Sequence, residues 1–362
     1  MIRPLALIVA ALALATPPAR AQEPAPWLQQ TEVRTIAAPD GRAIEITTGI
    51  VDVPEQRTGA GPHRIQLAVI RLRRAGAAAP VANMLLAGGP GDSGTRLLSG
   101  LPVDRAAALL DLMGGDVIAF DQRGTGLSRP GLALTEPVPL AAPGSPAAWL
   151  PAMVSASHAA VAGLAAHGVR LESYTTVESA DDVDAVRRAF GYAKLNLWGR
   201  SYGSHLALAT VRRHSASIAR LILASPEGPD HTLKLPARTD AVIARIGTRA
   251  GMPELPLKMR TVFDRLRTAP VTIAVADPAG GVAQQVTIGA FDLQWLTAQA
   301  QGDPRLLATL PLAYREMEEG RFERIAPAVL AMRTRFRLGS VVKYMMDLAS
   351  YGSPARVAPI RR

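Results

Sequence analysis

The pentapeptide Gly199-Arg200-Ser201-Tyr202-Gly203 leaves this chain few folds, because of what flanks it. Residues 194–198 read as a strand and residues 204–213 as a helix. A strand that becomes a helix within five residues turns so sharply that its central residue is forced into a strained backbone conformation. Glycine must then stand on either side to avoid clashes. The turn would present Ser201 Oγ above the carboxyl edge of a sheet, at the start of a helix whose dipole favours developing negative charge. The spacing therefore predicts a nucleophile elbow with Ser201 as its nucleophile.

The surrounding pattern supplies the sheet that such a turn needs. Residues 43–53 and 64–73 are rich in β-branched side chains and separated by a Gly/Pro-rich turn at 58–62. Runs at 81–87 and 116–120 are continuously apolar, as strands buried on both faces are. The first stops at Gly88-Gly89-Pro90-Gly91 and the second at Asp121-Gln122-Arg123-Gly124. A helix is expected from Ser179 or a neighbouring cap, with Asp181 and Asp182 in its first turn and Val183, Val186 and Phe190 on its apolar face. Gly191 ends it. A last strand at 218–224 completes βαβ units and implies a mostly parallel sheet with helices on both faces. The Pro/Ala-rich stretch 132–151 reads as a surface excursion. Beyond 229 helical periodicity dominates, at 240–249, 257–266, 293–300, 305–319 and 325–336. One β pair, 271–276 with 284–288, interrupts it. That is a mostly helical lid, with Trp295 and Tyr314 on packing faces rather than in a substrate pocket.

Acyl transfer needs two fixed N–H donors for the tetrahedral oxyanion. Tyr202, the residue after the nucleophile, supplies one. The other is expected from the loop after the third strand; Pro90 has no N–H, so Gly89 comes first and Gly88 second. The competing reading is a plain glycine-rich turn. A phosphate loop is excluded, because no Gly-Lys-Ser/Thr follows. Asp121 and Arg123 are expected to brace the loop after the fourth strand through an ion pair and backbone hydrogen bonds.

Taken together, residues 87–91, 121–128 and 199–203 resemble the α/β-hydrolase fold. They are most similar to its proline iminopeptidase and tripeptidyl aminopeptidase branch of exported serine peptidases. The likeness is strong over about residues 65–224 and loose over the lid. Ala87 stands where many iminopeptidases have histidine, and Arg200 where the aminopeptidases often have glycine. The resemblance implies a Ser–His–acid mechanism in the chain order Ser, acid, His. It also implies that an acidic residue such as Glu227 could bind a substrate's free amine; the alternative is a simple loop carboxylate.

The six histidines are His63, His158, His167, His205, His214 and His231, and none lies later. His205, one turn up the helix from Ser201, points along it. His231 is the remaining geometric candidate, with Glu227 or Asp230 as its acid. Otherwise the triad acid and histidine are expected beyond residue 362. The chain then reads as a C-terminally truncated or degenerate member whose last core strands are missing. The expected division is leader 1–21, core 22–228, lid 229–345, and the start of a return to the core at 346–362.

Composition sets the outer limits. With 48% hydrophobic residues in 362, the chain can fill a sizeable core and is not disordered. With no cysteine, neither disulfides nor a thiolate metal site can form. No other metal-ligand spacing is present, and no cofactor is expected. Arg3, the apolar run 5–15 and Ala19-Arg20-Ala21 form a secretory leader, the alternative being an uncleaved anchor. No later stretch reads as long and apolar enough to span a membrane. The mature product is expected to be exported, periplasmic or secreted, without an integral membrane segment. Residues 231–362 carry 19 basic against 11 acidic side chains, which reads as solvated helix faces; no nucleic-acid motif accompanies them. The expected function is an aminopeptidase releasing short N-terminal peptides or proline through an acyl-enzyme on Ser201. The alternatives are an esterase on small acyl esters and an inactive remnant. The partner is a peptide or small ester; oligomeric state is open.

Overall fold

The computed structural model describes residues 26–58, 63–76, 79–228, 230–231, 233–276, 281–349 and 352–360. The leader expected at 1–21 and most of the turn expected at 58–62 lie outside the described residues. Within them, β1 (Leu28–Ala37), β2 (Ala43–Pro54), β3 (Arg64–Arg74), β4 (Val81–Leu86) and β5 (Val117–Phe120) form one sheet with two later strands, β7 (Lys194–Arg200) and β8 (Ile218–Ala224). The order is β1-β2-β3-β5-β4-β7-β8. The first three strands and the β3–β5 pair run antiparallel, and β5, β4, β7 and β8 run parallel. Every β5 residue is buried, as its unbroken apolar run requires. β1 escaped the sequence pattern because it is an edge strand of mostly polar, exposed residues. Its place is set by backbone pairing with β2.

Two register facts position the site. β4 lies between β5 and β7, with Leu86 opposite Gly199. The loop that leaves β4 therefore emerges beside the turn that leaves β7. Helices α1 (Arg96–Ser99), α2 (Val103–Met113), α3 (Pro146–Ala166), α4 (Thr176–Ala189) and α5 (Tyr202–His214) accompany the sheet. Apolar clusters on both of its faces form the core, around Leu67, Met84, Val183 and Leu197 on one and Ile70, Leu110 and Val117 on the other.

The helix α4 begins earlier than the acidic residues suggested. Thr175 caps it, its side chain accepting from Glu178 N–H at 3.2 Å, so Asp181 and Asp182 fall in the second turn and Ser179 inside. Their carboxylates serve tertiary partners instead of the helix end. Asp182 accepts from Arg123 Nε and Nη2, both at 2.8 Å, and from Arg57 at 2.9 Å. Arg123 also donates to the carbonyls of Glu55 and Ser173. The expected Asp121–Arg123 pair is thus replaced by an Arg123–Asp182 pair between β5's loop and α4.

The remaining elements are β6 (Ala133–Leu134), α6 (Pro236–Arg249), α7 (Leu255–Thr268), β9 (Val271–Val275), β10 (Gln284–Ile288), α8 (Ala290–Ala300), α9 (Pro304–Glu318), α10 (Ala326–Thr334), β11 (Gly339–Ser340), α11 (Val341–Ala349) and α12 (Pro354–Val357). Residues of α6 to α10 enclose an apolar cluster of their own, built on Leu255, Val262, Leu293, Tyr314 and Val329. Tyr314 is buried with its hydroxyl 2.8 Å from Thr297 Oγ1, and burial pushes its phenol up. Val341, Val342 and Met346 belong to the main core cluster, so the chain regains the core before residue 346.

Two expectations change here. Residues 132–151 are a seam rather than a surface excursion. β6 pairs with β11, Val138 N–H donates to Phe336 O, and Gly144 N–H donates to Asp292. Trp149 is buried against Phe291 and Trp295. The second concerns α3. Its 21 residues are long and apolar enough to cross a membrane by length and composition, with mean hydropathy 1.3 in a window only 6% buried. No charged residue occurs between Glu136 and Arg170.

Candidate active site

Ser201 sits at φ 53° and ψ −126°, between the end of β7 and the first residue of α5. For a residue with a side chain this backbone costs on the order of 1–3 kcal/mol, and it persists only where the surroundings impose it. The surroundings are visible. A Cβ on Gly203 would lie 2.1 Å from Leu86 O and 2.8 Å from Ala87 O, so the first turn of α5 presses directly on the end of β4. Ser201 N–H donates to Ala224 O at 3.0 Å, and Ser204 Oγ both donates to Ser201 O at 2.5 Å and accepts from Glu227 N–H at 2.8 Å. Ser204 was not singled out from the sequence; only its position directly after the elbow glycine hints at the role. Ser201 Oγ itself has no hydrogen-bond partner among the described residues.

The loop after β4 meets the elbow. A Cβ on Gly88 would stand 3.1 Å from Arg200 O and 3.3 Å from Ser201 Cβ. A side chain here would crowd the serine. Gly88 and Gly89 N–H donate to no other group among the described residues. Tyr202 N–H, at the start of α5, has no intrahelical acceptor. Of the three expected oxyanion donors, Gly88 and Tyr202 thus flank the serine, and Gly89 follows in the same loop. Tyr202 is anchored by its buried hydroxyl, 2.9 Å from Thr176 Oγ1, and burial pushes its phenol up.

Asp121 fixes this loop. Fully buried, it accepts from Ser93 Oγ at 2.7 Å, Thr95 N–H at 2.9 Å, Thr95 Oγ1 at 3.0 Å and Leu127 N–H at 2.7 Å. It ties the chain after β4 to the chain after β5. Gln122 Nε2 adds a bond to Ala87 O at 3.2 Å.

Residues 84–269 match the alpha/beta hydrolase fold family. The chain belongs to that family. Among curated relatives, this alpha/beta hydrolase is 30% identical over 193 residues to a tripeptidyl aminopeptidase of Streptomyces coelicolor and, equally, to one of Streptomyces lividans. Each alignment covers 51% of this chain and 36% of the relative, so the chain spans about a third of the relatives' length. Similar solved structures include an esterase from Exiguobacterium antarcticum, at 17% identity and TM-score 0.28, covering 64% of this chain and 61% of that one. A hydrolase from Agrobacterium vitis S4 matches at 17% identity and TM-score 0.31, covering 67% and 68%.

The weak partners proposed for the serine of this alpha/beta hydrolase are all placed, and all are engaged elsewhere. His231 borders the same cleft as Ser201. Gly228 N–H donates to its Nδ1 at 3.3 Å, which puts the ring proton of the neutral imidazole on Nε2. A general base for serine needs the opposite tautomer, with Nε2 free to accept. Asp230 does not orient that ring: its two oxygens accept from Ser353 N–H and Ser353 Oγ, each at 2.7 Å. Those bonds hold its carboxyl below the usual carboxylate range. Glu227 is buried and receives Lys234 Nζ at 3.2 Å. His205 stacks on the Tyr202 ring at 5.8 Å, and His214 Nε2 lies 2.7 Å from Asp181.

Proposed function

We propose that Ser201 is the nucleophile of an exported serine hydrolase that forms an acyl-enzyme, releasing short peptides from the amino end of its substrate. One observation carries the reading: a serine held at φ 53° in a strand-to-helix turn, beside Gly88, whose N–H has no acceptor among the described residues. The reaction would place the carbonyl oxygen among Gly89, Gly88 and Tyr202 N–H while Oγ attacks the carbon. The base is left unassigned: His231, the histidine that borders the cleft, accepts at Nδ1 from Gly228 N–H. The peptide reading rests on likeness to the Streptomyces relatives, and export to the periplasm or medium rests on the leader pattern at 1–21.

Ester hydrolysis is the second reading, and Lys234 favours it. A substrate's ammonium group would have to displace this lysine from Glu227, the carboxylate in the cleft.

A fluorophosphonate probe tests the nucleophile: covalent labelling lost in Ser201→Ala is expected. Well-folded protein that stays unlabelled sinks the hydrolase reading. Acetylating the free amine of an aminoacyl p-nitrophenyl ester, a substrate open to both activities, then separates the two readings. Turnover should disappear for an aminopeptidase and persist for an esterase.

A further inference from the structure

The cleft at Ser201 has a volume of about 450 Å³, and Glu227, His231, Lys234, Arg238 and Arg356 lie in its walls. Three of these are permanent cations, against one carboxylate. Lys234 already neutralises that carboxylate, with Nζ 3.2 Å from Glu227. The neighbouring acid, Asp230, uses both oxygens on Ser353. Asp230 keeps its charge in those bonds and attracts Arg356, as half-buried Asp347 attracts Lys234, so Arg238 is the guanidinium left without a carboxylate beside it, and Arg356 keeps only its terminal nitrogens open. Arg238, exposed near the start of α6, has no side-chain partner among the described residues. Arg356 is held by Nε, which donates to Leu233 O at 2.8 Å, while its terminal nitrogens take no acceptor among the described residues. Arg200, directly before the nucleophile, is exposed and also without a carboxylate partner.

A reactive serine in a cleft lined this way selects by charge. From this arrangement we infer that the substrate carries an anionic group close to its scissile carbonyl. That group would be a carboxylate on a small acyl donor or an acidic side chain beside the cleaved peptide bond, received by Arg238 and Arg356. Guanidinium suits this work because its planar fork matches the two oxygens of a carboxylate and remains charged at every working pH. Arg356 is the positioned member, fixed at one edge and open at the other. Arg238 is the exposed member. The inference rests on the serine-hydrolase reading for its chemistry, but the anion site itself is a binding property.

Binding can therefore be measured first, without turnover. Glutarate and the neutral pentane-1,5-diol are titrated by calorimetry into the full chain and into Arg238→Glu and Arg356→Gln. Glutarate should bind and the diol should not. Each variant should weaken glutarate by about tenfold or more, the loss expected for one charge-assisted hydrogen bond, and 0.5 M salt should weaken it as well. Circular dichroism checks that the variants fold. The same samples are then labelled with fluorophosphonate and assayed with p-nitrophenyl butyrate and the p-nitrophenyl hemiester of glutarate. Preference for the hemiester through a lower KM, lost in both variants, is the expected result. Glutarate bound no better than the diol, or bound equally by wild type and both variants, overturns the inference. Glutarate binding at Arg238 and Arg356 with Ser201 unlabelled overturns the hydrolase reading and leaves the anion site standing.

Discussion

At the scale of single residues, the site is a case of imposed conformation. Ser201 holds φ 53° and ψ −126° with no hydrogen bond on Oγ among the described residues to compensate. Nothing local rewards the side chain, so Ser201→Gly should remove strain. A gain of about 1 kcal/mol in urea unfolding is expected, together with complete loss of fluorophosphonate labelling. If the glycine variant unfolds at lower urea than wild type, the serine is stabilised by contacts and the strain account is wrong. This residue was legible from the letters because a glycine-flanked serine between strand and helix admits one backbone solution. The cleft walls were not legible in the same way. Lys234 covering Glu227, and Gly228 N–H setting the proton of His231, depend on a loop whose course no periodicity specifies.

At the scale of elements, α4 is held by charges that sequence reading placed correctly in the helix and wrongly in function. Asp181 and Asp182 look like residues that favour a helix start. In the fold they face in two directions, Asp182 toward Arg123 and Arg57, and Asp181 toward Arg213 and His214 on α5. Such partners are 32 to 125 positions away along the chain, beyond any local pattern. β1 and α3 were missed for related reasons. β1 is polar and exposed, and α3 lacks charge altogether, so neither shows an amphipathic stripe. The Asp181 clamp joins α4 to the helix that bears the elbow, and its pH dependence has a definite sign. Burial opposes ionisation of Asp181, but hydrogen bonds from His214 and Arg213 outweigh it, and its carboxyl titrates well below the usual carboxylate range. A depressed folded value stabilises the chain fully above the unfolded carboxyl value of about 4. The contribution is lost as pH falls from there through the folded value. Asp181→Asn should therefore cost about 2 kcal/mol at pH 7, and the gap from wild type should close below about pH 4. A gap that stays constant from pH 7 to pH 3 would assign the loss to packing rather than to charge.

Across the whole molecule, two apolar clusters fill from different stretches of chain, and a polar joint ties residues 133–151 to the second of them. The cluster under α6 to α10 and the core around the sheet each follow from ordinary helix and strand patterning, which is why the division near residue 229 is readable. The joint was not readable, because its residues look like linker: Pro143, Gly144 and Ser145 between apolar runs. Asp292 is its centre. Fully buried, it accepts from Gly144 N–H at 3.0 Å and Gly289 N–H at 2.8 Å and pairs with Arg333 at 2.6 Å. Arg333 continues to Thr287 O at 2.5 Å. One carboxylate thus links the segment before α3, the start of α8 and the helix α10. Removing it strands a buried guanidinium and two backbone donors, and breaking a buried pair from one side costs about 3–5 kcal/mol. Asp292→Ala is therefore expected to loosen the cap before the sheet. Protease cleavage should appear first within residues 133–151, and amide exchange should accelerate in α8 and α10 while β4, β5 and β7 stay protected. Uniform acceleration across the sheet and cap would show instead that the two clusters unfold as one unit, with Asp292 holding the entire chain rather than its joint.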